Sequence, residues 1–227
     1  MMKRNSILSV LKMALALSLV FSFAACDSSG DDGDDGDDLF AGTALYEVSW
    51  NGAFNPNFTS DSVTLVDAAD TVLATSTGAM MHNTAGASTQ VQEGGFFPSG
   101  TGALLQFAGG AWGGVHFELS PLVDVSAATK VYVAVKGDLA ETAYFGMKMI
   151  AGSEAEVNFL NYPSKAGAGG WTVYTIALSD FTGCDFTTFK GFGLWNPNVV
   201  DGTLAERDVA ANYPVLSDIL ISVAFGE

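Results

Sequence analysis

Ten short segments of this chain alternate apolar and polar residues with a period of two, a pattern that folds as half-buried strands and not as helices. They are Ala44 to Trp50, Val63 to Val66, Ala103 to Phe107, Val115 to Leu119, Val131 to Val135, Phe145 to Met149, Val157 to Phe159, Thr172 to Ile176, Phe192 to Trp195 and Ile219 to Val223. Glycine-rich or polar breaks separate them. No stretch carries a sustained 3.6-residue apolar stripe, and only Ser179 to Phe189 suits a helical turn. The spacing predicts an all-β fold, an antiparallel two-sheet β-sandwich whose strand number suits a jelly roll. The glycine-rich stretch from Gly78 to Gly102, which holds His82, predicts a long loop with at most one short strand at Thr89 to Gln92.

Alternation also sorts side chains between two faces. Val115, Phe117, Leu119, Val131, Val133, Val135, Phe145, Met147, Met149, Val157 and Phe159 are expected in the core. The opposite positions then carry His116, Glu118, Tyr132, Lys148 and Asn158 on one outer face. Aromatic rings beside hydrogen-bonding groups fit a sugar, because a pyranose offers an apolar face to stack and hydroxyls to bond. An ordinary solvated sheet face is the alternative.

The first 38 residues read differently. Lys3 and Arg4 precede an apolar run that ends at Phe23-Ala24-Ala25-Cys26, the pattern of a secretory signal. The uninterrupted part, Met13 to Phe23, is about half of the roughly 20 residues that cross a bilayer. Ala24 and Ala25 before Cys26 resemble the lipobox of bacterial lipoproteins, in which the cysteine is acylated; Phe23 departs from the usual leucine, and plain signal cleavage is the alternative. Asp27 to Asp38 holds seven aspartates and three glycines with nothing apolar, a tether kept extended by charge repulsion and reaching up to about 40 Å. An acidic run after a lipidated cysteine resembles the surface-export signal of Bacteroidetes-type lipoproteins. The expected organisation is a signal peptide at 1–25, lipidated Cys26 with its tether at 26–39, and one domain at 40–227. The expected location is the outer membrane, facing outward.

The 227 residues carry a formal charge of −16, and the stretch from 39 onward holds six basic against 18 acidic residues. Such a surface repels phosphates, so nucleic acid is not an expected partner. It also disfavours anionic polysaccharides unless calcium bridges them. With 48% apolar residues the chain has ample material for a core. Two cysteines, Cys26 and Cys184, do not make a disulfide scaffold.

From Gly113 the sequence runs GGVHFELSPLVDVSAATKVYVAVKG, then YFGMKM, then GGWTVYTIALSDFTGCDFTTFKGFGLWN, and it closes with VLSDILISVAF. This order resembles the galactose-binding-like β-sandwich of carbohydrate-binding modules over roughly Leu45 to Phe225. The resemblance implies a non-catalytic domain that binds a polysaccharide or oligosaccharide, working beside a glycoside hydrolase or other envelope proteins. It also implies a structural calcium, with Glu47 in LYEVSW and Asp218 in LSDIL as ligands, although Ser217 stands where a further aspartate is common. Trp171, Tyr174, Leu178 and Phe181 in that match are packing residues.

Two tryptophans are candidates for stacking on a sugar. Trp112 sits among Gly109, Gly110, Gly113 and Gly114, which leave its indole few neighbours. Trp195 points away from Phe192 and Leu194 and precedes Asn196-Pro197-Asn198, two amides able to bond hydroxyls. For both, a lid over the core is the alternative; Trp50 reads as core. The proposed ligand set is therefore Trp112, Tyr132 and Trp195 for stacking, with His116, Asn158, Asn196 and Asn198 for hydrogen bonds. Recognisable catalytic motifs are missing: there is no G-x-S-x-G, no H-E-x-x-H and no phosphate loop. Cys184 lacks an activating charge. Glu118 with Glu156 is the one carboxylate pair that a glycosidase reading can offer. A structural envelope component that binds proteins through the same face is the second functional expectation.

Overall fold

The computed structural model describes residues 44–50, 63–83 and 103–227. The expected signal peptide, Cys26, the acidic tether and the short strand at Thr89 to Gln92 lie outside the described residues, as do the side chains of Trp50, His82 and Asp218. Twelve strands follow one another: β1 (Ala44–Trp50), β2 (Val63–Asp67), β3 (Val72–Asn83), β4 (Ala103–Phe107), β5 (Gly113–Val123), β6 (Lys130–Lys136), β7 (Tyr144–Ala151), β8 (Ser153–Asn158), β9 (Ser164–Ala166), β10 (Thr172–Ala177), β11 (Phe189–Asn198) and β12 (Leu216–Gly226). The expected alternating segments all fall on these strands, except that β8 ends at Asn158 and Phe159 opens a 3-10 turn. Ser179 to Phe189 contains parts of two 3-10 turns, Leu178–Asp180 and Phe186–Thr188.

The strands form one hydrogen-bonded antiparallel sheet in the order β8-β7-β11-β5-β3-β2-β1-β12-β6-β10-β9, with β4 also paired to β12. The expected two layers are its two ends folded onto each other, joined through β3, β2 and β1. Aromatic pairs cross between them: Phe189 of β11 meets Phe225 of β12 at 5.0 Å between centroids, and Phe107 of β4 meets Phe145 of β7 at 5.6 Å. Val115, Phe117 and Leu119 face Val131, Val133 and Val135 in one buried cluster with Phe145, Met147, Met149 and Phe159, and Val157 packs against it. Buried edge-to-face ring pairs of this kind add to area burial as the source of cohesion.

The segment expected as a loop from Gly78 is strand as far as Asn83, and it pairs with β5 from Thr75 opposite Ser120 to Asn83 opposite Gly113. The reason lies in the preceding turn. The carboxylate of Asp67 accepts the amides of Ala69 and Thr71, both at 2.9 Å, and Asp70 takes a left-handed φ of 59°, which closes a hairpin and sends the chain back alongside β2. The first residues of β3 pair with β2 and the rest with β5, so the glycine and methionines are carried into the ladder by pairing with β5 and not by propensity.

Candidate functional site

The outer surface of the β8-β7-β11-β5 layer is laid out by register. Gly193 in β11 stands between His116 of β5 and Lys148 of β7; Trp195 stands between Gly114 and Gly146; Gly191 stands between Glu118 and Ile150. On the far side of β7, Lys148 is opposite Glu156, Ile150 opposite Glu154 and Gly146 opposite Asn158. Four glycines on three adjacent strands thus give up the space where side chains normally rise. That floor is filled by rings and carboxylates leaning in from the sides. A methyl group on Gly114 would fall inside the Trp195 indole, and one on Gly146 would lie 2.6 Å from Oε1 of Glu156.

Trp195 lies down on this floor and is only 8% exposed. Trp112, half-buried, meets it edge-on at 4.9 Å and 83°. His116 lies nearly parallel to it at 6.0 Å and 23°, and the Lys148 ammonium sits over its ring at 4.2 Å. Carboxylates hold the cations of the face: Lys148 to Glu154 at 3.1 Å, and Lys190 to Glu118 at 2.8 Å, with His116 Nε2 4.0 Å from the other Glu118 oxygen. Toward the end of β7 the Tyr144 hydroxyl donates to Glu156, and the Arg207 guanidinium lies 3.6 Å over the Tyr144 ring. Burial, and then the neighbouring Glu156 charge, push the Tyr144 hydroxyl well above its ordinary range. Arg207 reaches this place from a single helical turn, α1 (Leu204–Arg207), whose start is closed by a capping box between Thr203 and Glu206.

Trp112, His116 and Trp195 are therefore brought together, with Lys148 and Glu118 beside them. Tyr132 is not. It lies in β6, on the outer side of the other layer, packed with Trp171, Val173 and Ala224, and its hydroxyl donates 2.6 Å to the Glu227 carbonyl. Alternation fixes which side of its own strand a residue takes, but not which layer the strand joins. The two expected loop amides are also corrected. β11 continues through a bulge to Asn198, and both Asn196 and Asn198 are buried. Asn198 donates to the Arg207 carbonyl at 2.8 Å and accepts the Val200 amide at 3.1 Å. Asn158 is likewise engaged by backbone: it accepts the amides of Phe145 and Leu160 and donates to the Ala143 carbonyl.

Of the residues named for calcium, Glu47 is opposite Ala224 in the β1-β12 register, and the Asp218 side chain lies outside the described residues. Among the described residues no three His, Cys, Asp or Glu side chains gather into a metal-binding group. Glu118 and Glu156 share the outer face three strands apart, and each carboxylate is engaged, Glu118 by Lys190 and Glu156 by the Tyr144 hydroxyl. The Cys184 thiol is pushed up by burial, the reverse of what a nucleophile needs.

No protein-family model matches the chain, and no curated protein does. Among solved structures it is similar to the family 11 carbohydrate-binding module of a cellulosomal cellulase of Clostridium thermocellum, at 12% identity and a TM-score of 0.35 over 83% of this chain and 92% of that one. It is also similar to a carbohydrate-binding module with specific mannan recognition, at 10% identity and a TM-score of 0.25 over 80% of this chain and 99% of that one. Both neighbours are carbohydrate-binding modules. The strand order and register above, and not these likenesses, define the fold.

The glycine floor escaped the period-two reading, which followed the hydrophobes. Its signal is present in Gly191-Phe192-Gly193-Leu194-Trp195, where small residues alternate with core residues and end in an indole. Arg207 and Tyr144 carry no such local signal, since one comes from the short helical turn α1 and the other from a strand 63 positions earlier.

Proposed function

We propose that this chain is a non-catalytic envelope lipoprotein that binds a polysaccharide on the face built from Trp112, His116, Glu118, Lys148 and Trp195. The observation that supports the reading is the pair of indoles, Trp112 and Trp195, set at right angles over the glycines of β5, β11 and β7. The glycines let Trp195 lie low on the sheet, Trp112 offers an apolar surface beside it, and the surrounding ammonium and carboxylate groups supply donors and acceptors for hydroxyls. Trp195 acts as the support beneath, since little of it reaches solvent. The acylated Cys26 at the head of the acidic tether would hold the domain at the outer membrane, facing outward.

Affinity electrophoresis of the whole chain in soluble glucan, mannan, galactan and chitosan tests the binding. Retardation by at least one polymer is expected, and Trp112→Ala should lower that affinity by about tenfold or more, on the scale of one lost stacking contact. If none of the polymers retards the native protein, the reading falls and a protein-binding envelope component takes its place. For the anchor, Cys26→Ser should release the protein from the membrane fraction and abolish labelling by fatty acid; unchanged labelling would remove the lipoprotein assignment.

A further inference from the structure

We infer that the sugar this face prefers carries a protonated amine, so that the ligand class is a polysaccharide of amino sugars with free amino groups. The inference rests on the glycan-binding reading above and adds the charge of the ligand to it. What carries it is the Lys148 ammonium, which occupies a site made of an indole face 4.2 Å away and a carboxylate oxygen of Glu154 at 3.1 Å. An aromatic face with a carboxylate at its rim is a receptor for an alkylammonium group. The lysine is an internal occupant of that receptor.

Its hold is weak on one side and its replacement is easy to picture. Glu154 is 61% exposed, and its ion pair with Lys148 exchanges readily. An amino sugar stacked against Trp112 brings its own ammonium to the same indole and the same carboxylate. Lys148, at the end of a flexible four-carbon stem, then swings toward solvent. A neutral sugar has nothing to offer Glu154 beyond a hydroxyl, and an anionic one meets Glu118, Glu154 and Glu156. The whole chain, at −16, draws polycations to its surface and repels polyanions before any contact forms.

Titration calorimetry at low ionic strength with the glucosamine tetrasaccharide and its fully N-acetylated counterpart isolates the charge, because the two share one sugar backbone. The free amine should bind about three- to tenfold tighter, the scale of one cation–aromatic contact with a partly exposed counter-charge. Glu154→Gln should remove most of that preference, lowering affinity for the free amine far more than for the N-acetylated sugar, and Lys148→Met, which removes the internal ammonium, should strengthen the free-amine complex. Asp138→Asn, an equal loss of charge at a distance, should leave the preference intact. Equal or tighter binding of the N-acetylated sugar, or an Asp138→Asn effect as large as that of Glu154→Gln, would overturn the inference alone. Binding of neither tetrasaccharide and of no polymer in the panel above would overturn the glycan reading with it.

Discussion

Gly114 and Gly191 lie on the same floor and serve it in different ways. At Gly114 the space that a methyl group needs is taken by the indole of Trp195, and at Gly191 it is taken by backbone of Phe117 and Glu118, with the Phe117 carbonyl carbon at 3.0 Å and the Glu118 Cα at 3.1 Å. An indole can tilt; a paired strand cannot shift without opening its ladder. Gly191→Ala should therefore cost about 1–3 kcal/mol of stability, the usual range for overpacking, read as a lower urea midpoint at unchanged slope. Gly114→Ala should cost less stability but lift Trp195 toward Trp112 and Lys148, and weaken glycan binding by about tenfold, on the scale of one stacking contact. An equal stability loss in both variants with binding untouched would show that the floor serves packing alone.

Among the elements, the strands of the core were the most legible part of the sequence. Val131-Tyr132-Val133-Ala134-Val135 states its alternation without ambiguity, and every inward member is buried. Tyr132 marks where that legibility ends, because the assignment of β6 to the far layer is made by its pairing with β10 and β12, contacts between segments some 40 to 90 positions apart. β3 fails for a related reason: Gly78 and its neighbours have weak strand preference, and the ladder with β5 supplies what propensity lacks. The face was legible in Trp112, Trp195, His116, Glu118 and Lys148, which the fold brings together, and not in Tyr132 or the amides, since Tyr132 joins the other layer and Asn158 and Asn198 meet backbone. Asn158 ties the first residues of β7 to the turn after β8 through three hydrogen bonds. Asn158→Ala leaves two amides and a carbonyl short of partners, and it should lower stability by about 1–3 kcal/mol while glycan affinity stays at the native value. Loss of binding at native stability would return Asn158 to the ligand set.

On the scale of the whole molecule, acidity sets how the fold responds to alkali. The chain is already at −16, so each phenol that ionises adds to a surplus of negative charge. Tyr144 and Tyr213 resist ionisation most: burial acts first on both, followed by Glu156 at Tyr144 and by Asp208, which accepts from the Tyr213 hydroxyl at 2.9 Å. Tyr213 is pushed up to about 12, and Tyr144 is shifted in the same direction. A group that holds its proton more tightly folded than unfolded contributes stability that is complete below the unfolded value, near 10 for tyrosine, and that drains away as pH climbs through the folded one. Urea midpoints should therefore be flat with respect to these two residues up to about pH 10 and fall between there and about 12, where Tyr213 titrates. Tyr213→Phe keeps the ring in place and removes one ionisation, so its midpoint should fall less steeply across that window than the native protein's. Parallel curves for the two proteins would mean that the Tyr213 phenol is no better protected in the fold than in the unfolded chain, and that alkaline loss of stability comes from general repulsion among the carboxylates and exposed phenols.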